Sequence, residues 1–310
     1  MSLQRTLKQS VSLTGIGVHS GKAATVTLSP AAANRGILIV RKDMESSLPI
    51  SAHYRNVVST QLATTLGRGK MTVSTVEHLM AALHGLGVDN ALIEVDGPEV
   101  PIMDGSSLPF VQAIEKAGLQ TQLKPRVIAA IRKRVELKLK EKWAVAEPGK
   151  GFEVHASIDW DHPSIGYQEC KYVEGQTSGS VSFREIAQAR TFGFLKDVEA
   201  LKKMGLARGG SLDNAVVLDD ALVLNPEGLR SPDEFVKHKL LDALGDFKLS
   251  GITMMGTFRL HRAGHDVHSQ LLNEIFKNPD NYEILEDSVP ARPLDMPQAA
   301  AVMARSRFAF

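Results

Sequence analysis

The chain has 310 residues, 43% hydrophobic and 23% charged, the balance of a globular protein long enough for two ordinary domains. A formal net charge of +1 excludes a general attraction to nucleic acid or to an anionic membrane, so any phosphate binding has to come from a local cluster. One cysteine, Cys170, allows no intrachain disulfide; with no signal-peptide core and no run near the roughly 18 apolar residues of a membrane span, the chain reads as cytoplasmic.

In chain order, residues 3 to 28 predict two short strands around Gly15-Ile16-Gly17-Val18-His19-Ser20-Gly21, the second being Ala24 to Leu28. Gly36 to Val40 is a β-branched strand, and residues 43 to 70 read as mixed short strands and turns. A helix beginning at Ser74 is closed by Gly85 and Gly87. Ala91 to Val95 is a strand, and a second helix runs from about Pro109 to Ala117. The stretch Leu123-Lys124-Pro125-Arg126 divides a first domain, 1–124, from a second, 125–285. Strands follow at Val127 to Ile131, Val135 to Lys140, Trp143 to Ala146 and Phe152 to Asp159, then a helix at Ser182 with a capping box in S-F-R-E. Phe194 to Val217 holds a basic-apolar helix, Gly209-Gly210 and the run Ala215 to Leu218. Next comes a helix from Ser231 to Asp246, with Ser231 as N-cap and Pro232 at its first position. The strand Thr253 to Leu260, a helix from about Val267 to Phe276 and a tail at 286–310 close the chain. Strands precede helices in both halves, which favours two α+β domains over a doubly wound sheet.

In the Ser231 helix His238, Asp242 and Asp246 recur every four residues, so they lie along one side. An imidazole four residues before a carboxylate is half of a zinc site, although the same pair on a surface only supports the helix. A zinc site needs a third protein ligand, for which His78 is available. Its neighbour Glu77 either closes a capping box with Ser74 or takes a proton from water. His84 points elsewhere, so there is no H-E-x-x-H arrangement. The cluster from Phe258 to His268 reads as a basic loop, as competing ligands in His261 and His265, or as an anion site with an acid catalyst tuned by Asp246. The histidines at 19, 53, 84, 155, 162, 261 and 268 read as ordinary surface or core residues.

The segments V-S-T-V-E-H-L-M-A-A-L (73–83), G-P-E-V-P-I-M-D-G-S-S (97–107), A-R-T-F-G-F (189–194), H-K-L-L-D-A-L-G-D (238–246) and H-R-A-G-H (261–265) resemble the zinc-dependent UDP-3-O-acyl-N-acetylglucosamine deacetylases of lipid A biosynthesis. The likeness runs in register from about residue 3 to 285. It implies zinc held by His78, His238 and Asp242, a set that also binds ferrous iron. It implies Glu77 as general base for the zinc-bound water, His265 as general acid with Asp246 as its partner, and Thr191 as the hydroxyl supporting the oxyanion. Lys239 and Phe192 match residues lining the sugar and acyl positions. The implied fold is two similar α+β domains, each a mainly antiparallel sheet, with the helices packed between the sheets. A β-α-β insert at about 191–217 would form an apolar acyl passage. Phe194, Val198, Leu201, Leu212 and Val217 either line that passage or pack the insert's own small core.

Trp160, where relatives commonly carry Phe, is expected to stack on uracil, and Arg262 to meet the diphosphate. Ala63 stands where some relatives have cysteine. The implied reaction hydrolyses the N-acetyl group of UDP-3-O-[(R)-3-hydroxyacyl]-N-acetylglucosamine, the committed step of lipid A (lipopolysaccharide) biosynthesis. The expected protein is a monomer acting on a small-molecule substrate, with no nucleic-acid partner and no stable membrane insertion. A catalytically silent binder of a UDP-sugar or acyl chain is the rival reading; Glu77 and His265 retained beside three ligands weigh against it.

Overall fold

The structure is a computed structural model that describes residues 2–45, 48–175 and 178–286; the tail expected at 286–310 lies, beyond Glu286, outside the described residues. The chain opens with strands β1 (Leu3–Leu7), β2 (Val11–Ile16), β3 (Ala23–Pro30), β4 (Ile37–Arg41) and β5 (Ile50–Ser51). Short strands β6 (Val57–Ser59), β7 (Thr65–Arg68) and β8 (Met71–Val73) lead into α1 (Glu77–Gly85). Strand β9 (Ala91–Val95), α2 (Leu108–Ala117) and β10 (Leu119–Pro125) complete the first half. The second half begins with β11 (Val127–Ile131), β12 (Val135–Leu139), β13 (Lys142–Glu147), β14 (Phe152–Trp160) and β15 (Gly166–Val173). After α3 (Phe183–Ala187) come β16 (Phe192–Phe194), α4 (Leu195–Lys203) and β17 (Val216–Leu218). Helix α5 (Glu234–Lys248), β18 (Thr253–His261), α6 (His265–Lys277) and β19 (Tyr282–Glu286) end it.

The two halves repeat one topology. The first sheet runs β2-β3-β9-β4-β5, with only the β4–β9 pair parallel. In the second, β12-β13-β18-β14-β15 has the same order with β14–β18 parallel, and β11 adds a second parallel pairing along the start of β18, with β19 antiparallel beyond it. Each central strand follows one helix and precedes another, so α1 corresponds to α5 and α2 to α6. Alternation supplies the core: Val26, Leu28, Ile39, Ile93 and Val95 are buried from one sheet, Val154, Ile158, Phe258 and Leu260 from the other. Between them lie Leu79, Leu83, Phe110, Phe235, Leu244 and Phe247 from the helices. The β16–α4–β17 unit is the expected β-α-β insert, its strands parallel with Phe192 opposite Val216.

Local signals fail where distant partners outweigh them. Three strands form in residues 3–30 where the pattern predicts two. The extra pairing joins β1 to β10, which ends at Pro125 with Leu3 opposite it. The expected Ser231 cap does not form. Helix α5 starts at Glu234, whose carboxylate is drawn to the Arg190 guanidinium (2.9 Å) and the Arg230 backbone N–H (2.6 Å), and it continues past Asp246 to Lys248. The Ser74 capping box is also absent: Thr75 takes a positive φ of 58°, α1 begins at Glu77, and the Ser74 hydroxyl accepts from Thr65 instead. The Ser182 capping box forms as expected.

Helices α1 and α5 cross at a glycine. A Cβ on Gly245 would overlap the Glu77 carbonyl oxygen, so only glycine allows α5 to lie this close to the first turn of α1. Gly245→Ala is expected to cost about 2 kcal/mol by forcing the helices apart, which thermal unfolding would register as a Tm lower by about 5 °C.

Candidate active site

The first turn of α1 and one face of α5 bring His78, His238 and Asp242 together, all buried, with one potential ligand atom from each within 4.8 Å of the others. The Asp242 Oδ1 lies 3.3 Å from His238 Nε2 and 3.7 Å from His78 Nε2. The Nδ1 of His238 donates to the Ala189 carbonyl (3.1 Å), which turns its Nε2 lone pair inward. Burial pushes the His238 pKa down to about 3 against the pull of Asp242, so this imidazole is uncharged near neutrality. Asp242 stays ionised: burial opposes its charge, but His238 and Lys239 hold its pKa well below the usual carboxylate range. Its Oδ2 receives the Lys239 ammonium (2.8 Å), while Oδ1 is buried with no hydrogen-bond partner among the described residues. A carboxylate oxygen left so, facing imidazole lone pairs, is costly unless a cation lies among them, and this donor set fits a divalent metal ion.

Beside this cluster Glu77 is buried, its Oε2 accepting the Thr64 backbone N–H (3.0 Å) and its Oε1 3.9 Å from His265 Nε2. Freed from the capping role, it lies close enough to His78 and Asp242 for their charges to act on it. Burial raises its pKa, opposed by the charges of His265 and His78. His265 opens α6, and its Nδ1 is 2.7 Å from Asp246 Oδ2. Burial disfavours its charge, but Asp246 and Glu77 outweigh this and raise its pKa to about 10. For Asp246, burial is overcome by His265 and by hydrogen bonds from His265 and His268, which keep it ionised. The arrangement is a buried carboxylate with a raised pKa and an imidazole with a raised pKa flanking a His/His/Asp cluster compatible with a metal ion.

Two residues that sequence reasoning passed over belong to this network. Thr64 donates its backbone N–H to Glu77 and its hydroxyl to Asp246 Oδ1 (2.6 Å). His268 Nδ1 lies 2.8 Å from the same Asp246 oxygen as His265. The i,i+3 spacing of His265 and His268 was a usable signal for the second; nothing near Thr64 in sequence marks the first. His19 also nears the site: burial lowers its pKa while Glu99 raises it and His265 lowers it further. Its Nδ1 accepts the Ala207 N–H (3.4 Å), tying the insert to the glycine loop of the first half.

The remaining predicted residues divide. Phe192 packs edge-on to His238 (6.2 Å between centroids), Trp160 (5.4 Å) and Phe235 (5.0 Å), with the Lys239 ammonium 5.4 Å from its ring. Trp160, Phe192 and Lys239 thus form one wall leading from the His78–His238–Asp242 cluster. The Thr191 backbone is fixed by bonds to Gly105 and Val216. Phe194 lies against His162. Helix α4 has no buried residue; Val198, Leu201 and Val217 are half-buried, and Leu212 is 41% exposed, so the insert does not close a core around them. Arg262 is not drawn into the cluster: it pairs with Glu141 (3.0 Å) at the rim of the second sheet. His261 bonds Ser157 (2.9 Å) and stacks on Trp143, and His84 packs on Phe152, so neither joins the ligand set. Ala63 is buried immediately before Thr64.

A family model described as UDP-3-O-acyl N-acetylglycosamine deacetylase (LpxC) matches residues 4–277. The chain is 49% identical over 289 residues to the UDP-3-O-acyl-N-acetylglucosamine deacetylase of Myxococcus xanthus, covering 93% of this chain and 90% of that one. It is 48% identical over 288 residues to the enzyme of the same name from Acidithiobacillus ferrooxidans, covering 92% and 94%. The corresponding protein of Citrifermentans bemidjiense is 46% identical over 286 residues, at 92% and 93% coverage. With both the family model and these relatives spanning nearly the whole chain, it belongs to the UDP-3-O-acyl N-acetylglycosamine deacetylase family.

Proposed function

We propose that the chain is a zinc-dependent amidohydrolase that removes the N-acetyl group of UDP-3-O-[(R)-3-hydroxyacyl]-N-acetylglucosamine, releasing acetate and UDP-3-O-acyl-glucosamine for lipid A biosynthesis. The observation carrying it is the unpartnered Asp242 Oδ1 between two imidazoles, flanked by Glu77 and a protonated His265. His78, His238 and Asp242 would hold the ion. When bound, zinc, or ferrous iron in its place, supplies Lewis acidity and makes water nucleophilic near neutral pH. Glu77 takes the proton of the attacking water as its oxygen bonds to the acetyl carbon; burial, by raising its pKa, makes it the stronger base. His265, held by Asp246, delivers a proton to the glucosamine nitrogen as the C–N bond breaks, so that a neutral amine departs. Thr191 offers its hydroxyl to the developing oxyanion, a contribution of roughly 3 kcal/mol when well placed.

Lys239 and Phe192 position the sugar and the start of the acyl chain. Phe194, Val198, Leu201, Leu212 and Val217 line the acyl passage, which the open apolar face of α4 supports. Trp160 stacks on uracil beside Phe192. Arg262 would reach the diphosphate only by leaving Glu141, an exposed pairing of little energy. The division at 124/125 gives Glu77 and His78 to the first domain and the other site residues to the second. The protein is taken to act as a cytoplasmic monomer on a small-molecule substrate, without nucleic acid or stable membrane insertion. Among the described residues no helix is long and apolar enough to cross a membrane.

The two titrating groups set a pH window. Glu77 must be ionised, so the acid limb of kcat/KM should fall above its ordinary value near 4.5. His265 must be protonated, so activity should persist until the pH approaches about 10 and then decline. A basic limb near 6.5, the ordinary histidine value, would contradict the Asp246 and Glu77 pairings. The function itself is tested by acetate release before chelation, after it, and after one equivalent of zinc is restored. Activity lost and regained is expected; no acetate from zinc-replete, folded protein would sink the deacetylase reading.

A further inference from the structure

We propose that His268, with Thr64, is a positioning residue that fixes the Asp246 carboxylate so that it holds His265 in its acid-delivering orientation. This rests on the deacetylase reading above. Asp246 is buried and receives three side-chain donors: His265 Nδ1 at 2.7 Å and His268 Nδ1 at 2.8 Å on Oδ2, and the Thr64 hydroxyl at 2.6 Å on Oδ1. His265 alone would leave the carboxylate free to swing about its χ2 axis. The second imidazole stands nearly perpendicular to the first, 87° between planes and 6.3 Å between centroids, and pins the shared oxygen from another direction.

Among the described residues, the His268 side chain makes no other hydrogen bond. Its side chain is fully buried, its ring packs edge-on to Phe247 at 5.7 Å, and its Nε2 is buried with no hydrogen-bond partner among the described residues. With no acceptor around Nε2, the ring proton resides on Nδ1 and is donated to Asp246. A buried imidazole with one nitrogen unsatisfied costs stability relative to a hydrocarbon of the same volume. Core packing alone would therefore favour leucine here; the bond to Asp246 is what histidine adds. The acid thus rests on residues from α5, α6 and the loop before β7, and Thr64 connects the same carboxylate to the backbone N–H that holds Glu77.

The test compares His268→Leu, which keeps volume without the donor, with His268→Asn, whose amide nitrogen overlays Nδ1. In zinc-replete protein, Leu is expected to lower kcat about tenfold or more, the loss of a hydrogen bond to a charged group, with KM within about twofold. Asn should restore most of the loss, and Leu should add nothing to His265→Ala, because His268 acts only through His265. Independently of turnover, nitrogen-15 histidine spectra should show the His265 Nδ1–H resonance displaced in the Leu variant and returned in the Asn variant. Full kcat in the Leu variant, an Asn variant no better than Leu, or an additive loss on His265→Ala would overturn the proposal. If the Leu variant fails to fold, Thr64→Val, which removes the Oδ1 donor, must show the kcat loss and the displaced resonance, or the proposal falls. Wild-type protein that releases no acetate would instead remove the deacetylase reading, and the spectra would then decide the role of His268 alone.

Discussion

Glu77→Gln should lower kcat by roughly 10³-fold while one equivalent of zinc stays bound. The substitution is nearly isosteric, and the amide oxygen can still accept the Thr64 N–H, so the first turn of α1 and the crossing at Gly245 should persist. What is lost is the capacity to take a proton, while the candidate ligands His78, His238 and Asp242 are untouched. Parallel measurement of turnover and of metal by atomic absorption separates the outcomes. Undiminished turnover would remove Glu77 from the base role, and lost zinc would make it a ligand.

His265→Ala is expected to reduce kcat by about 10²- to 10³-fold, again at constant metal content. An amine is a poor leaving group until protonated, and His265, its pKa raised by Asp246 and Glu77, lies with Nε2 3.9 Å from Glu77 Oε1. Removing it deprives Asp246 of its charged partner, but His268 and Thr64 still donate to that carboxylate, so the fold should tolerate the change. Loss of zinc in this variant would place His265 in the ligand set. A rise in KM alone, with kcat intact, would show that it serves binding instead of proton delivery.

The helical spacing of His238, Asp242 and Asp246 was legible because α-helical periodicity is a property of neighbouring residues, and α5 does present all three toward the site. The Ser182 capping box was legible for the same reason. Strand β10 was not: its pattern of exposure, with Leu123 92% exposed, carries no alternation, and it exists because β1 pairs with it. The caps at Ser74 and Ser231 read correctly as local signals and failed as structure. Each lost to a long-range demand, the first to the turn at Thr75 that aims Glu77 at Thr64, the second to the Arg190–Glu234 pair.

From the residues alone came the order of strands and helices, the half-site on α5 and, through motifs in register, the roles expected of Glu77, His78 and His265. Tertiary structure decided that His78 meets Asp242, that Asp246 turns from the His78–His238–Asp242 cluster to two other histidines, and that Arg262 sits apart with Glu141. The reason is physical. Spacing along one helix follows from its 3.6-residue turn, whereas Thr64 and Asp246 are 182 residues apart and meet only because two repeated halves pack α1 against α5 across a glycine.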